Sequence, residues 1–325
     1  MDGCRLALAV SLVATPLGPT PAQGQRPEFM LVVHGGAGTI RRADMTPQED
    51  SSYRATMTQA VRAGYDLLRA DRSALDAIIA TITVLEDSPL FNAGKGAVFT
   101  NAGTVELDAG IMDGTGLRAG AVAGVKHIKN PISLARLVMD RSPHVLLAGE
   151  GAEAFAKEQG MPLVPQSYFY TERRHEELER AKAARARVHG TVGALALDRQ
   201  GRIAAGTSTG GLSNKRWGRI GDSPLIGAGT YANASCAVSG TGVGEFFIRN
   251  VVAYDVCARM LYRGESLAAA ADSVVMGKLV AQHGEGGVIA LDRDGHVAMP
   301  FNTEGMYRGS VGPDGNIVVK IYRDE

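Results

Sequence analysis

Residues 189–211 read HGTVGALALDRQGRIAAGTSTGG, and from Ala196 onward this text can be laid without gaps on ALDRDGHVAMPFNTEG at 290–305. Each copy reads as a strand, a turn at Arg-Gln-Gly or Arg-Asp-Gly, and a second strand, so the C-terminal half holds two look-alike hairpins. A third, SVGPDGNIVVKIY at 310–322, closes the chain on the same Asp-Gly turn signal. Between the first two hairpins the spacing predicts helices near 244–262 and 266–280, the former with Phe247, Val251, Tyr254, Ala258 and Leu261 on one face. Upstream, FMLVVH at 29–34 reads as a strand leading into HGGAG. Met57, Val61, Tyr65 and Leu68 then mark one amphipathic helix over 52–69, and Ala74, Ile78, Ile82 and Leu85 a second over 74–85 that Ser73 and Asp76 open as a cap. Residues 92–126 are glycine-rich with short apolar runs, which suits strands and turns, and further helices are predicted around 132–140 and 146–159. Strands interleaved with helix pairs in both halves indicate a mixed α/β layered fold, not a doubly wound one.

Composition narrows the function. The 325 residues suffice for one large domain or two ordinary ones. Lys+Arg 34 against Asp+Glu 34 lacks the basic excess of a nucleic-acid binder, so no nucleic-acid partner is expected. The 41 glycines are nearly double the usual share and point to tight turns and close backbone approaches. Three cysteines, Cys4, Cys236 and Cys257, cannot build a disulfide framework and form no CxxC pair, which argues against structural zinc and redox motifs. Pairing of Cys236 with Cys257 is left open.

Residues 5–17, RLALAVSLVATPL, are an apolar run of signal-peptide length, too short to span a bilayer, followed by the loose cleavage match Thr20-Pro21-Ala22. A signal peptide over residues 1–22 and export to the periplasm or beyond are expected, with a cytoplasmic protein carrying a dispensable leader as the alternative. No other segment approaches the length of a membrane helix, so no membrane partner is expected. TERRHEELERAKAARAR at 171–187 carries ten charged side chains in seventeen positions and marks a linker over about 165–190. A solvated charged helix and an exposed mobile segment beside a processing point both fit that text.

The seven histidines form no HxH, HExxH or Cys/His cluster, no GxSxG elbow is present, and HGGAG and GTGVG lack the phosphate-loop patterns. What remains is a set of glycine-flanked threonines: Thr191, Thr207, Thr209 and Thr241. A threonine hydroxyl is a poor nucleophile without an adjacent base, and a cut just before it frees an α-amine that can serve. Thr191 follows Gly190 at the point where the charged segment stops and a strand begins. Strand threonines beside turns are the plainer reading of the same residues.

The blocks HGGAGTI (34–40), FNAGKGAVFTNAGTVELDAGIMDG (91–114), HGTVGALALD (189–198), TSTGGLSNKRWGRIGDSPLIGAGTYA (207–232) and PFNTEGMYRG (300–309) together closely resemble the plant-type asparaginase and isoaspartyl peptidase family of N-terminal-nucleophile hydrolases. The resemblance implies a four-layer αββα sandwich formed as one domain by residues 23–325. It implies self-cleavage of the Gly190–Thr191 bond into an α chain of residues 23–190 and a β chain of residues 191–325. It makes Thr191 the nucleophile, Thr209 its orienting helper, Thr241 and Gly242 the oxyanion-hole pair, and Asn92 a neighbour of the nucleophile. Arg219 and Asp222 match the clamp for the α-carboxylate and α-amine of the substrate. Without that context they read as an ion pair on a surface turn.

No cofactor is implied beyond a structural sodium ion held by main-chain carbonyls of Leu85, Glu86, Ser88, Phe91, Ala93 and Lys95, provided the Lys95 side chain points away. The substrate implied is a small molecule, L-asparagine or a β-aspartyl dipeptide, and the assembly a homodimer of autocleaved αβ units. A glycosylasparaginase-type amidase and an uncleaved, catalytically silent periplasmic binding protein are the alternatives. Trp217, the only tryptophan, narrows the pocket beside Arg219 or acts as a packing anchor.

Overall fold

Val192–Leu197 and Ile203–Thr209, the strands of the first look-alike hairpin, are buried at every position. An antiparallel pair reaches that state only inside a sheet covered on both faces. The computed structural model, which describes residues 26–184 and 190–325, has this arrangement. The expected signal peptide, Cys4 and residues 185–189 lie outside the described residues.

In chain order the strands are β1 (Met30–Gly38), β2 (Leu107–Asp113), β3 (Arg118–Val125), β4 (Leu146–Ala148), β5 (Val192–Leu197), β6 (Ile203–Thr209), β7 (Thr230–Asn233), β8 (Cys236–Gly242), β9 (Gly286–Asp292), β10 (Val297–Ala298), β11 (Gly305–Val311) and β12 (Val318–Tyr322). The helices are α1 (Pro47–Arg69), α2 (Ala74–Asp87), α3 (Pro131–Arg141), α4 (Gly149–Glu158), α5 (Glu172–Ala184), α6 (Gly244–Asn250), α7 (Val252–Arg263) and α8 (Leu267–Asp272). One sheet of eight strands runs β12-β11-β1-β5-β6-β2-β3-β4, and one of four runs β10-β9-β8-β7. All three expected hairpins form, as β5/β6, β9/β10 and β11/β12.

Strand alternation builds the layers. On the large sheet Leu31, Val33, Val192, Ala194 and Ala196 join the core under α1, α2 and α3. Their neighbours Val32, Leu195, Leu197, Ile203 and Ala205 face the small sheet's Ala237, Ile289 and Leu291. The outer face of the small sheet, with Val238, Val288 and Ala290, is covered by Phe247, Val252, Val256 and Leu267. The result is the expected αββα sandwich. Among the described residues no helix is long and apolar enough to cross a membrane.

Local chemistry moved some boundaries. The first helix starts at Pro47, five residues before the expected 52, because Thr46 and Glu49 form a reciprocal capping box ahead of the first apolar position. Ser73 caps α2 as expected, accepting from the Asp76 N–H at 3.2 Å. The helix expected over 146–159 begins at Gly149, since Leu146–Ala148 pairs in parallel with β3 as an edge strand. The helix expected over 244–262 is broken at Val251, whose φ of 50° is left-handed. That break shifts the helical phase, so α7 buries Val252, Ala253, Val256 and Cys257 and leaves Tyr254 and Leu261 outward with Val251. The helix expected over 266–280 is α-helical to Asp272 and continues as a π-helix over Ser273–Leu279. The described part of the charged segment is helical: α5 turns Arg174, Leu178 and Ala181 inward, and Phe169 just before it is fully buried.

Cys236 of β8 and Cys257 of α7 are joined in a disulfide, with Cα atoms 5.6 Å apart. The bond ties a strand of the small sheet to the helix layer above it and closes a loop with a sequence separation of 21. Removing it, by reduction or in Cys236→Ala/Cys257→Ala, is expected to lower the unfolding free energy by about 3 kcal/mol, read as a shifted denaturant midpoint against the oxidised protein.

Candidate active site

Thr191 directly precedes β5 and is in step with Gly193, Leu195 and Leu197, so its side chain faces the gap between the sheets. Thr207 and Thr209 share that face of β6 with Ile203 and Ala205. The β5/β6 register, with Val192 opposite Ser208, brings Thr191 level with Thr209. The Thr191 hydroxyl donates to the Gly190 carbonyl at 2.7 Å and lies 3.1 Å from Thr209 Oγ1. Thr209 Oγ1 donates to that carbonyl at 3.0 Å while accepting from the Gly211 N–H at 2.9 Å.

A third donor comes from the loop after α2. Asn92 Nδ2 reaches the Gly190 and Gly211 carbonyls, each at 2.8 Å, and Asn92 Oδ1 accepts from the Val98 N–H at 2.9 Å. The amide is therefore fixed in orientation. Gly36, in a left-handed conformation at φ 115°, lets β1 pass close to the Gly190–Thr191 bond: a Cβ there would lie 3.4 Å from Gly190 Cα and Thr191 N.

The loop bearing Asn92 is clamped by α5, a role that sequence reasoning missed. Arg173 Nη2 donates to the carbonyls of Pro89 and Leu90 at 3.0 and 2.8 Å, and Arg174 Nε donates to that of Gly96 at 2.6 Å. A charged helix reads as solvated in sequence; these guanidinium groups turn inward because the tight loop leaves its carbonyls without intrahelical donors.

Behind the threonines runs a chain of buried polar groups that the sequence did not single out. His34 Nε2 and Ser239 Oγ lie 2.9 Å apart, Ser239 Oγ and Thr207 Oγ1 2.7 Å apart, and Thr230 Oγ1 lies 2.6 Å from Thr207 Oγ1 while donating to the Ser223 carbonyl at 2.9 Å. Burial pushes the His34 imidazole down to about 3, with the Thr191 backbone pulling the other way, so the ring is neutral at physiological pH. Gly193 is required here: a Cβ would come within 2.1 Å of Ser239 Oγ and 2.4 Å of His34 Nε2. Thr207, one of the glycine-flanked threonines, is a link in this chain. The available signal was alternation in β8, which sets Ser239 on the same face as Ala237 and Thr241.

Thr241 is fully buried, and its hydroxyl oxygen accepts from the Ala37 N–H at 3.2 Å. Thr191, Thr209, Arg219, Asp222 and Gly242 line one cavity of about 10 Å³. Gly190 also lines a second cavity of about 240 Å³ on the side of Tyr53, Arg173 and Tyr307. Arg219 does not pair with Asp222 on a surface turn. Its Nε and Nη2 bond Glu245, each at 3.0 Å, while Nη1 lies against Gly211 and Gly221. Glu245 was not foreseen. Asp222 is buried with Oδ2 unpartnered among the described residues. Burial pushes its carboxyl up to about 7 against the opposing pull of Arg219. Nearby, burial raises the Asp108 carboxyl and lowers the Lys215 ammonium, each opposed by the other's charge.

Around the expected sodium loop, Gly94 (φ 49°) packs so closely that a Cβ would lie 2.3 Å from the Glu86 carbonyl oxygen. The Glu86 side chain points elsewhere, to Ser208 Oγ and the Ile132 N–H at 2.7 and 3.0 Å, and burial pushes its carboxyl up to about 8. Lys95 Nζ lies 5.6 Å over the Tyr168 ring. The described residues hold one further cluster of potential metal ligands, Asp292, Asp294 and His296, on the β9/β10 turn. Asp292 there is engaged by its own turn, accepting from the Asp294 and His296 N–H groups at 2.9 Å. Trp217 is not a packing anchor: it is 96% exposed.

The two-sheet sandwich covered by helices on both outer faces is consistent with the N-terminal-nucleophile hydrolase architecture. The asparaginase family model matches residues 27–321, and the chain belongs to that family. It is 51% identical over 309 residues to the isoaspartyl peptidase of Salmonella typhimurium, covering 91% of this chain and 99% of that one. It is 51% identical over 310 residues to the isoaspartyl peptidase of Escherichia coli (91% and 97%). It is 42% identical over 303 residues to the isoaspartyl peptidase/L-asparaginase of Xenopus laevis (91% and 96%).

Proposed function

We propose that the chain is a self-processing threonine hydrolase of β-aspartyl amides, acting on isoaspartyl dipeptides, L-asparagine or both. The observation that carries this reading is the Gly190 carbonyl, which accepts from Thr191, Thr209 and Asn92 at once. In maturation Thr191 Oγ1 attacks the Gly190 carbonyl carbon, and charge gathering on the oxygen is met by Asn92 Nδ2 and Thr209 Oγ1. The peptide C–N bond breaks, the nitrogen takes a proton to become the Thr191 amine, and an ester joins Gly190 to Thr191 Oγ1. Water then hydrolyses the ester to the Gly190 carboxylate and a free hydroxyl.

In turnover the new amine accepts the hydroxyl proton and Thr191 Oγ1 attacks the substrate's side-chain amide. Ammonia or an amino acid leaves, and water releases aspartate from the β-aspartyl ester. Thr241, whose oxygen takes the Ala37 N–H and so keeps its hydrogen for donation, and the Gly242 N–H form the oxyanion hole. Arg219 Nη1 binds the α-carboxylate and Asp222 the α-ammonium.

The carbonyls of Leu85, Glu86, Ser88, Phe91, Ala93 and Lys95 would hold a sodium ion. The tight closure of Gly94 on the Glu86 carbonyl and the placement of Lys95 over Tyr168 support that fit. Such an ion would neutralise crowded carbonyl dipoles beneath the Asn92 loop. The Cys236–Cys257 bond supports an exported protein, because disulfides persist in oxidising compartments. The outward Val251, Leu261 and Tyr262 offer an apolar face for pairing of two αβ units.

Intact-mass measurement after incubation at neutral pH should yield two chains, one starting at Thr191, with Thr191→Ala remaining uncut. Ammonia release from asparagine and leucine release from β-Asp-Leu then read the substrate. A single uncut wild-type chain inert toward both would favour the silent-binder alternative. Because only ionised Asp222 attracts an ammonium, affinity of the mature protein for L-aspartate should rise about tenfold from pH 6 to pH 8 in calorimetry. Asp222→Asn should bind more weakly and without that slope; a slope surviving in the variant assigns it to another group.

A further inference from the structure

The turn that delivers Arg219 to the cavity carries a feature the mechanism above does not use. The Arg219 N–H donates to the Arg216 carbonyl at 3.0 Å, closing a tight turn with Trp217 (φ 57°) and Gly218 (φ 68°) at its corner. Two left-handed residues make the mirror-image kind of turn, natural for Gly218 and strained for a bulky aromatic.

The base of the turn is firmly held. The Asn214 N–H bonds the Phe99 carbonyl and the Asn101 N–H bonds the Lys215 carbonyl, both at 2.9 Å. The buried Lys215 Nζ reaches the Glu106 carbonyl at 2.9 Å. The strained corner is thus presented on a rigid stem, and the indole of Trp217 is 96% exposed. Among the described residues the ring meets no other ring, cation or hydrogen-bond acceptor. Two residues on, Arg219 turns inward to line the cavity with Thr191. Backbone strain retained two residues from a cavity-lining arginine is a pointer to function, and the indole brings a large apolar plane to that place.

What reaches it follows from the proposed chemistry of the site. With the α-carboxylate on Arg219 and the α-ammonium on Asp222, the group on the β-amide nitrogen extends outward from the small cavity that these residues line with Thr191. We propose that Trp217 is a specificity-determining residue whose indole covers the apolar or aromatic side chain of the leaving amino acid in β-aspartyl dipeptides. This rests on the β-aspartyl reading of the site. Asparagine, which loses only ammonia, has nothing to place there.

The test compares kcat and KM of wild type, Trp217→Ala and Trp217→Phe on β-Asp-Phe, β-Asp-Leu, β-Asp-Gly and L-asparagine, with oligomeric size measured in parallel. Trp217→Ala should lose about tenfold in kcat/KM on the Phe and Leu dipeptides, through KM with kcat kept, and stay within about twofold on β-Asp-Gly and asparagine. Trp217→Phe should recover most of the loss. An equal loss on all four substrates, or no loss on any, would overturn the proposal while leaving the β-aspartyl reading intact. A changed oligomeric size with unchanged substrate ratios would also overturn it, assigning Trp217 to a contact with a second copy. Wild-type inertness toward all four would bring down the underlying reading and the proposal together.

Discussion

The carbonyl of Gly190 is the point on which the rest of the site depends. Three side chains from three parts of the chain donate to it: Thr191 beside it in sequence, Thr209 from the paired strand, and Asn92 from the loop after the second helix. A carbonyl has two lone pairs, so a third donor is a surplus in the ground state and is better matched to an oxygen gathering negative charge. That surplus can persist only if every donor is held from behind. Thr209 is held by the Gly211 N–H, and Asn92 by the Val98 N–H together with the Gly211 carbonyl.

The sandwich supplies that rigidity. The hairpin carrying Thr191 and Thr209 lies mid-sheet, with apolar side chains on both faces, and is expected to be among the last parts of the fold to open. Burying polar groups between two sheets is costly unless they satisfy one another. Ser239, Thr207, Thr230 and Nε2 of His34 do so, crossing between the large sheet and the small one behind Thr191. They also fix the spacing of the sheets, and with it the distance from Thr191 on one to Thr241 on the other. Helix α5 does the corresponding work at the front, where Arg173 and Arg174 take up loop carbonyls that the Asn92 turn leaves unpaired.

Much of this was legible in the sequence for identifiable reasons. Period-two and period-3.6 patterns are dictated by burial, so the hairpins and the first two helices could be read directly, and strand parity alone puts Thr191 and Thr209 on one face. The groups that escaped notice depend on partners distant in sequence. Ser239 looks like any strand serine until His34 and Thr207 are seen beside it, and Glu245 is unremarkable until Arg219 meets it. The charged segment that holds α5 reads as a solvated helix or an exposed mobile linker because nothing in its text reveals the loop carbonyls it covers. The expected helix over 244–262 failed at one left-handed residue, Val251, where a continuous apolar period gave no warning that the phase would change.

The most direct measurement is the first-order rate of chain cleavage in Thr209→Val, followed by intact mass on protein whose folding is checked by its unfolding transition. Valine keeps the shape of threonine and removes the hydroxyl that lies 3.1 Å from Thr191 Oγ1 and donates to the Gly190 oxygen. Folded protein that cleaves at least about a hundredfold more slowly than wild type is the expected result, in line with the loss of one preorganised donor. Folded Thr209→Val that matures at the wild-type rate would contradict it, and would mean that the three-donor grip on Gly190 is a feature of packing and not of chemistry.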